Sequence, residues 1–196
     1  MTLLQNLVLM FYFFQLEFST ATDTITPIQR INDPESIVSN GATFKLGFFS
    51  PFNATKRYVA IWYNNVPVTA VVQVANRDKP LNDSSGTLTI SEDGNLVVMD
   101  GQKQIVWSSN VPNSSAHSSA QLLDSGKLVL QDNIGGSITW ESFEHPSDSM
   151  LQKMKISTNK YTGERTVLTS WKSSLDPSTG SFIYGLNPLN IPELYV

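Results

Sequence analysis

His117 and His145 are the only histidines of this 196-residue chain, so acid–base chemistry near neutral pH would have to begin with one of them. His145 follows Glu144 and precedes Asp148, which suggests an acid–base pair. The same residues also read as a turn at His145-Pro146 that closes a domain, and the turn is the expectation. The chain has no cysteine, which excludes a thiol nucleophile and any thiolate metal site. Two lone histidines do not form a zinc set, and no pair of carboxylates stands out for glycoside hydrolysis. The sequence therefore nominates no catalytic group, no metal ion and no cofactor.

Other polar chemistry lies in the turns and on the surface. Asn53-Ala54-Thr55, Asn82-Asp83-Ser84 and Asn113-Ser114-Ser115 are acceptors for N-linked glycan, all in turn-like surroundings. Charged residues make up 15% of the chain, below the roughly 25% of ordinary soluble domains. Ser, Thr and Asn take their place, as on a glycosylated extracellular surface. The net charge of −4, with both signs mixed along the chain, supplies no basic stripe for nucleic acid. Residues 1–21 read as a secretory signal peptide. An apolar run from Leu3 to Phe14, interrupted only by Gln5 and Asn6, leads to the small residues Ser19-Thr20-Ala21, although no Lys or Arg precedes it. No later stretch approaches the length of a membrane helix, so no span is expected in this chain.

The elements that must carry these groups are strands. Runs of four to eight residues rich in Val, Ile, Leu, Thr, Phe and Trp alternate with Gly, Asn, Asp, Ser and Pro. No stretch of a dozen residues sustains a helical face. A repeat runs through the strands. Leu88 to Asp100 leads to Ile105-Val-Trp-Ser-Ser109, and Gln121 to Asp132 leads to Ser137-Ile-Thr-Trp-Glu-Ser142. Each copy is strand, Asp/Gly turn, strand, polar turn, then a strand ending in Trp. Asp93-Gly94 and Asp124-Ser125-Gly126 supply the hairpin turns. A looser copy upstream pairs Phe44–Phe49 with Tyr58–Tyr63. Trp62, Trp107 and Trp140 then end three equivalent units. Three small sheets, each too small to stand alone, are expected to pack around a shared axis with these three indoles as core filler.

Phe44-Lys-Leu-Gly-Phe-Phe-Ser-Pro51, Tyr58-Val-Ala-Ile-Trp-Tyr-Asn64, Val74-Ala-Asn-Arg-Asp78 and Trp140-Glu-Ser-Phe143 with His145-Pro-Ser-Asp148 carry a family resemblance. They resemble the bulb-type lectin domain in the ectodomain of plant G-type lectin S-receptor-like serine/threonine kinases and S-locus glycoproteins, over roughly residues 22–196. The resemblance implies an all-β fold: a β-prism of twelve strands in three antiparallel sheets with pseudo-threefold symmetry. It also implies a bulb-type lectin domain over 22–150, followed over 151–196 by the truncated start of a second lectin-like module. Thr169-Ser-Trp-Lys-Ser-Ser and Asp176-Pro-Ser-Thr-Gly-Ser-Phe182 carry that second match. Such receptors continue into Cys-rich modules, a membrane helix and a kinase, so the chain resembles a receptor ectodomain fragment. It has no Gly-rich phosphate loop, no His-Arg-Asp and no Asp-Phe-Gly, and kinase activity is not expected of it.

The resemblance further implies a mannose site of the pattern Gln-x-Asp-x-Asn-x-Val-x-Tyr, spaced to put all five groups on one face of a strand. The first repeat keeps Asp93, Asn95 and Val97, with Ser91 in place of Gln and Met99 in place of Tyr. The second keeps Asp124 and Val129, with one extra residue in the turn, Lys127 in place of Asn, and Leu122 at the Gln position. The upstream unit keeps none of the polar set. Gln73 stands where the family has Trp, and Gln152 where it has Pro. If Gln73 is buried, it loses apolar area and demands amide partners.

The expected function is an extracellular mannose-type lectin module of a receptor-like kinase, secreted or on the outer face of the plasma membrane, that recognises a ligand without catalysis. The alternative is a degenerate lectin fold that binds a protein ligand or receptor partner and no sugar.

Overall fold

The computed structural model describes residues 22–51, 54–66, 70–159, 161–187 and 193–195. The expected signal peptide and Asn53 lie outside the described residues. Twelve strands form the first part: β1 (Thr24–Ile25), β2 (Ile31–Asn32), β3 (Ser36–Val38), β4 (Phe44–Phe49), β5 (Tyr58–Tyr63), β6 (Val71–Val74), β7 (Thr87–Ile90), β8 (Leu96–Met99), β9 (Ile105–Ser108), β10 (Ser118–Leu122), β11 (Leu128–Asp132) and β12 (Ile138–Glu141). They form three antiparallel four-stranded sheets in the orders β3-β4-β5-β6, β2-β7-β8-β9 and β1-β10-β11-β12. This is the three-sheet β-prism that the sequence led us to expect.

Alternation builds the core. In β4, Phe44, Leu46 and Phe48 point inward, as do Val59 and Ile61 of β5. Leu88 and Ile90, Leu96 and Val98, Ala120 and Leu122, and Leu128 and Leu130 repeat the pattern in the other two sheets. The first strand of every sheet comes from one short N-terminal segment. Ile25, Ile31 and Ile37 each enter the shared core from a different sheet.

The threefold relation extends to single hydrogen bonds. The backbone N–H groups of Val59, Leu96 and Leu128 each lie within the first two residues of the third strand of a sheet. They donate to Asn76 Oδ1 at 2.8 Å, Ser109 Oγ at 3.2 Å and Ser142 Oγ at 3.0 Å. Each acceptor lies just past the end of that sheet's fourth strand.

This register corrects the assignment of the three indoles. Val98 faces Trp107 and Leu130 faces Trp140, and the equivalent pair in the first sheet is Ile61 and Gln73. Gln73, not Trp62, therefore occupies the third axial position. Trp140 is in the core and Trp107 packs against it edge to face, with ring centroids 5.9 Å apart. Trp62 alternates out of phase with Val59 and Ile61. It lies on the outer face of the first sheet with Phe49, Tyr58, Ala60 and Val74.

Among the remaining described residues are a hairpin, β13 (Ser157–Thr158) with β14 (Arg165–Thr166), and a sheet of β15 (Leu168–Ser173), β16 (Asp176–Leu186) and β17 (Leu194–Tyr195). Trp171 of β15 covers the outer apolar face of the first sheet, its ring 6.3 Å from Phe49. Its Nε1 donates to Asp148 Oδ1 at 2.8 Å. Arg77 binds the other side of this junction. Its guanidinium donates to the carbonyls of Pro177 at 2.8 Å, Thr169 at 3.1 Å and Ser170 at 2.7 Å. Asp78 accepts from the backbone and hydroxyl of Thr179. Burial pushes the Arg77 pKa down, partly offset by Asp148 and Asp78. Gln152, at the expected Pro position, is exposed in a turn.

Replacing Arg77 with Met removes a cation shared by three carbonyls and leaves those acceptors poorly solvated. The expected cost is about 3 kcal/mol. Urea unfolding measures it, and amide exchange should rise first across residues 168–179.

Candidate functional site

Of the five residues at the sugar-motif positions of the first repeat, the structure brings Ser91, Asp93 and Asn95 into mutual contact, and the five do not lie along one strand. Ser91, Asp93 and Asn95 lie in the five-residue turn between β7 and β8, and only Val97 and Met99 are on β8. The turn closes on itself. The Ser91 hydroxyl donates to Asp93 Oδ1 and lies 2.9 Å from the Asn95 carbonyl. Asp93 also accepts from the Asn95 backbone at 3.2 Å and from Asn95 Nδ2 at 3.1 Å. These donors, the Ser91 hydroxyl first, hold the exposed Asp93 carboxyl below its ordinary value.

Asn95 is 6% exposed, and both ends of its amide are engaged. Oδ1 accepts from Ser109 Oγ at 2.9 Å and from the Val111 N–H at 2.7 Å. Nδ2 donates to Asp93 and, at 3.4 Å, to the Val111 carbonyl. Ser114 Oγ donates to the Gly94 carbonyl at 2.9 Å. Ser109, Val111 and Ser114 thus clamp the turn, and the last two contacts are not announced by the repeat pattern because they come from between repeats. Val97 is 1% exposed, so the open surface consists of Asp93 with half-buried Ser91 and Met99.

The second repeat requires a correction. Ile90 pairs with Leu96 and Leu122 with Leu128, so the two turns have the same length, and Gly94 and Gly126 share a φ of +82° and +81°. No extra residue is present. Asp124 corresponds to Glu92, Ser125 to Asp93 and Lys127 to Asn95. Leu122 is fully buried core and cannot stand in for a sugar-binding Gln. Aligning the repeats on their core residues, rather than on Asp, would have shown this. Asp124 Oδ1 accepts from the Gly41 N–H at 2.6 Å, and Lys127 Nζ pairs with Glu141 at 2.6 Å and lies 5.8 Å from the Phe143 ring. Val129 is 2% exposed. In the first sheet, the equivalents of Val97 and Met99 are Ala60 and Trp62, in the patch that Trp171 covers.

His145 stacks on Trp140 at 5.5 Å and 9°, and its N–H donates to the Ser142 carbonyl, ending a short 3₁₀ turn (Ser142–Glu144). Asp148 is engaged by Trp171, so the suggested His145–Asp148 pairing does not form in this arrangement. Among the described residues no group of three or more His, Asp or Glu could hold a metal, and no helix is long and apolar enough to cross a membrane. Asn82 and Asn113 are exposed.

Three four-stranded sheets about one core, with polar hairpin turns between their strands, define a β-prism. Residues 70–172, just over half of the chain, match the family model described as D-mannose binding lectin, and the chain belongs to that family. It is 51% identical over 187 residues to the G-type lectin S-receptor-like serine/threonine-protein kinase SD1-13 of Arabidopsis thaliana, covering 93% of this chain and 22% of the relative. It is 42% identical over 194 residues to kinase B120 of the same type and organism, covering 96% and 23%. The chain thus spans about a fifth of the length of these curated relatives. Among solved structures, a monomeric mannose-binding lectin from Gastrodia elata is 18% identical with a TM-score of 0.48, covering 62% of this chain and 96% of that one.

Two outcomes follow from the turn. A Cβ at Gly94 would fall 2.0 Å from the Ser115 carbonyl oxygen, whereas at Gly126 it meets only side-chain atoms of Leu151 and Phe44, the nearest at 2.8 Å. Gly94→Ala should cost at least about 2 kcal/mol and exceed Gly126→Ala in urea unfolding. Because the Asp93 pKa is depressed from 3.8, its contribution is complete above the unfolded-state value and is lost as pH falls through the lower folded-state value. Acid titration followed at the Asn95 and Val111 amides should show this loosening, and Asp93→Asn should abolish its pH dependence.

Proposed function

We propose that this chain is the extracellular ligand-recognition module of a receptor-like protein, and that it binds a mannose-type glycan weakly at the Asp93 hairpin. The observation carrying this reading is an exposed, ionised carboxylate locked in place by Ser91 and Asn95, in the turn leading into the strand that ends at half-buried Met99. A fixed carboxylate can accept from two neighbouring sugar hydroxyls, and Met99 offers apolar contact to ring carbons. Membership of the D-mannose binding lectin family supports the same ligand class. Ser91 and Met99 offer less than the Gln and Tyr of the motif, so affinity is expected in the millimolar range. The module boundaries we propose are 22–150 for the lectin and 151–196 for the start of a second module, after a leader over 1–21. Asn53, Asn82 and Asn113 are proposed to carry glycan, and a kinase on the same polypeptide would transmit recognition.

A second reading, recognition of a protein partner without sugar, is favoured by one observation: the Asn95 amide is already spent inside the protein.

Titration with methyl α-mannoside, followed by amide shifts, separates the two. Saturable shifts confined to residues 91–99 are expected, and Asp93→Ala should weaken binding at least about tenfold. Ser91→Gln with Met99→Tyr should tighten it by a similar factor. No saturable shift in either protein would sink the glycan reading and leave the protein partner.

A further inference from the structure

The axial position of each sheet has an equivalent in the other two, and two of the three hold an indole. Gln73, at the third, is 6% exposed. Its Nε2 donates to the carbonyls of Ser142 at 2.5 Å and His145 at 3.1 Å, which fixes the amide orientation. Its buried Oε1 has no hydrogen-bond partner. A buried acceptor left unpaired is costly, and such groups in native proteins mark strain or a site of use.

A cavity of about 580 Å³ opens at this corner. Its wall includes Gln73, Ile61, Leu96, Leu128, Trp107 and Trp140, with Arg77 and Lys79 also along its lining. The volume falls within the roughly 300–1,000 Å³ of small-molecule sites, and the lining joins an apolar, aromatic wall to polar side chains that include Gln73, Asn76, Asp78 and Ser142. The part of the wall formed by Ile61, Leu96, Leu128, Trp107 and Trp140 offers apolar contact to a flat ring. The neighbouring rings are already arranged edge to face and stacked: Trp107 on Trp140, and Trp140 on His145.

We propose that this cavity binds a small planar heteroaromatic compound bearing a ring N–H. The ligand takes the place of the missing third indole, packs against Trp107 and Trp140, and donates its N–H to Gln73 Oε1. The chemistry of the occupant follows from symmetry and the orphan acceptor together: a ring takes the place an indole holds in the other two sheets, and a ring N–H satisfies the amide oxygen. The site is separate from the Asp93 hairpin, so the two stand or fall independently.

The test uses indole, indene and the purified protein. Indole should bind saturably, perturb the Trp107 and Trp140 side-chain signals and raise the melting temperature with concentration. Indene, of the same shape without the N–H, should bind at least about tenfold more weakly. Gln73→Trp should melt higher than the parent and lose the indole response. Gln73→Met should bind indole and indene alike, which keeps the proposal testable if the Trp variant fails to fold. Asp93→Ala should respond to indole as the parent does. Absence of saturable indole binding by the parent, an undiminished response in a folded Gln73→Trp, or a persistent preference for indole in Gln73→Met would each overturn the proposal.

Discussion

Everything in this molecule depends on three sheets burying their inner faces against one another. A sheet of four short strands has one apolar face and no partner of its own, and it is marginal in water. With no cysteine in the chain, no disulfide can compensate. Stability therefore rests on residues such as Ile25, Leu88, Leu96, Val98, Ala120, Leu122 and Leu130, all at most 1% exposed. That demand fixes the inward positions and leaves the outward ones free to diverge. The outer face of the first sheet became an apolar dock for Trp171, the second kept a polar hairpin around Asp93, and the third acquired an ion pair between Lys127 and Glu141.

The axis is where the symmetry fails. Two corners are filled by indoles, and the third by an amide that satisfies only one of its two ends. Gln73 nonetheless does structural work through that end. It grips the carbonyls of Ser142 and His145, tying the first sheet to the 3₁₀ turn that follows the third. The expected demand for amide partners is therefore half met, and the unmet half, worth about 1–3 kcal/mol, sits beside a cavity.

Much of this was legible in the strands. The apolar runs marked the strands, and the Asp/Gly turns located two hairpins at their observed places. Trp62 was misplaced because its position at a strand end outweighed its parity. Val59 and Ile61 face inward, so Trp62 must face outward, and strict period-two counting yields that answer. The second turn was misread because an Asp was matched to an Asp across a register that only the core residues define. Asn95 looked like a ligand-facing amide, whereas its partners in segment 109–111 are set by tertiary packing. Arg77 was visible as part of a motif, yet its carbonyl partners lie about a hundred residues onward in a segment outside the repeat.

The way the first strands are dealt out has a consequence for how the chain reaches this state. β3 pairs with its immediate neighbour β4, β2 with the more distant β7, and β1 with β10, where Thr24 faces Gln121. The pairings nest like brackets. On a nascent chain leaving the ribosome, the innermost bracket can close early, but the outermost must wait until the third sheet has emerged. Such long-range closure is slow, and it leaves strand edges open in the meantime. The first-made residues of the prism are thus the last to be secured, and completion of the whole barrel of sheets is registered at its amino-terminal tip.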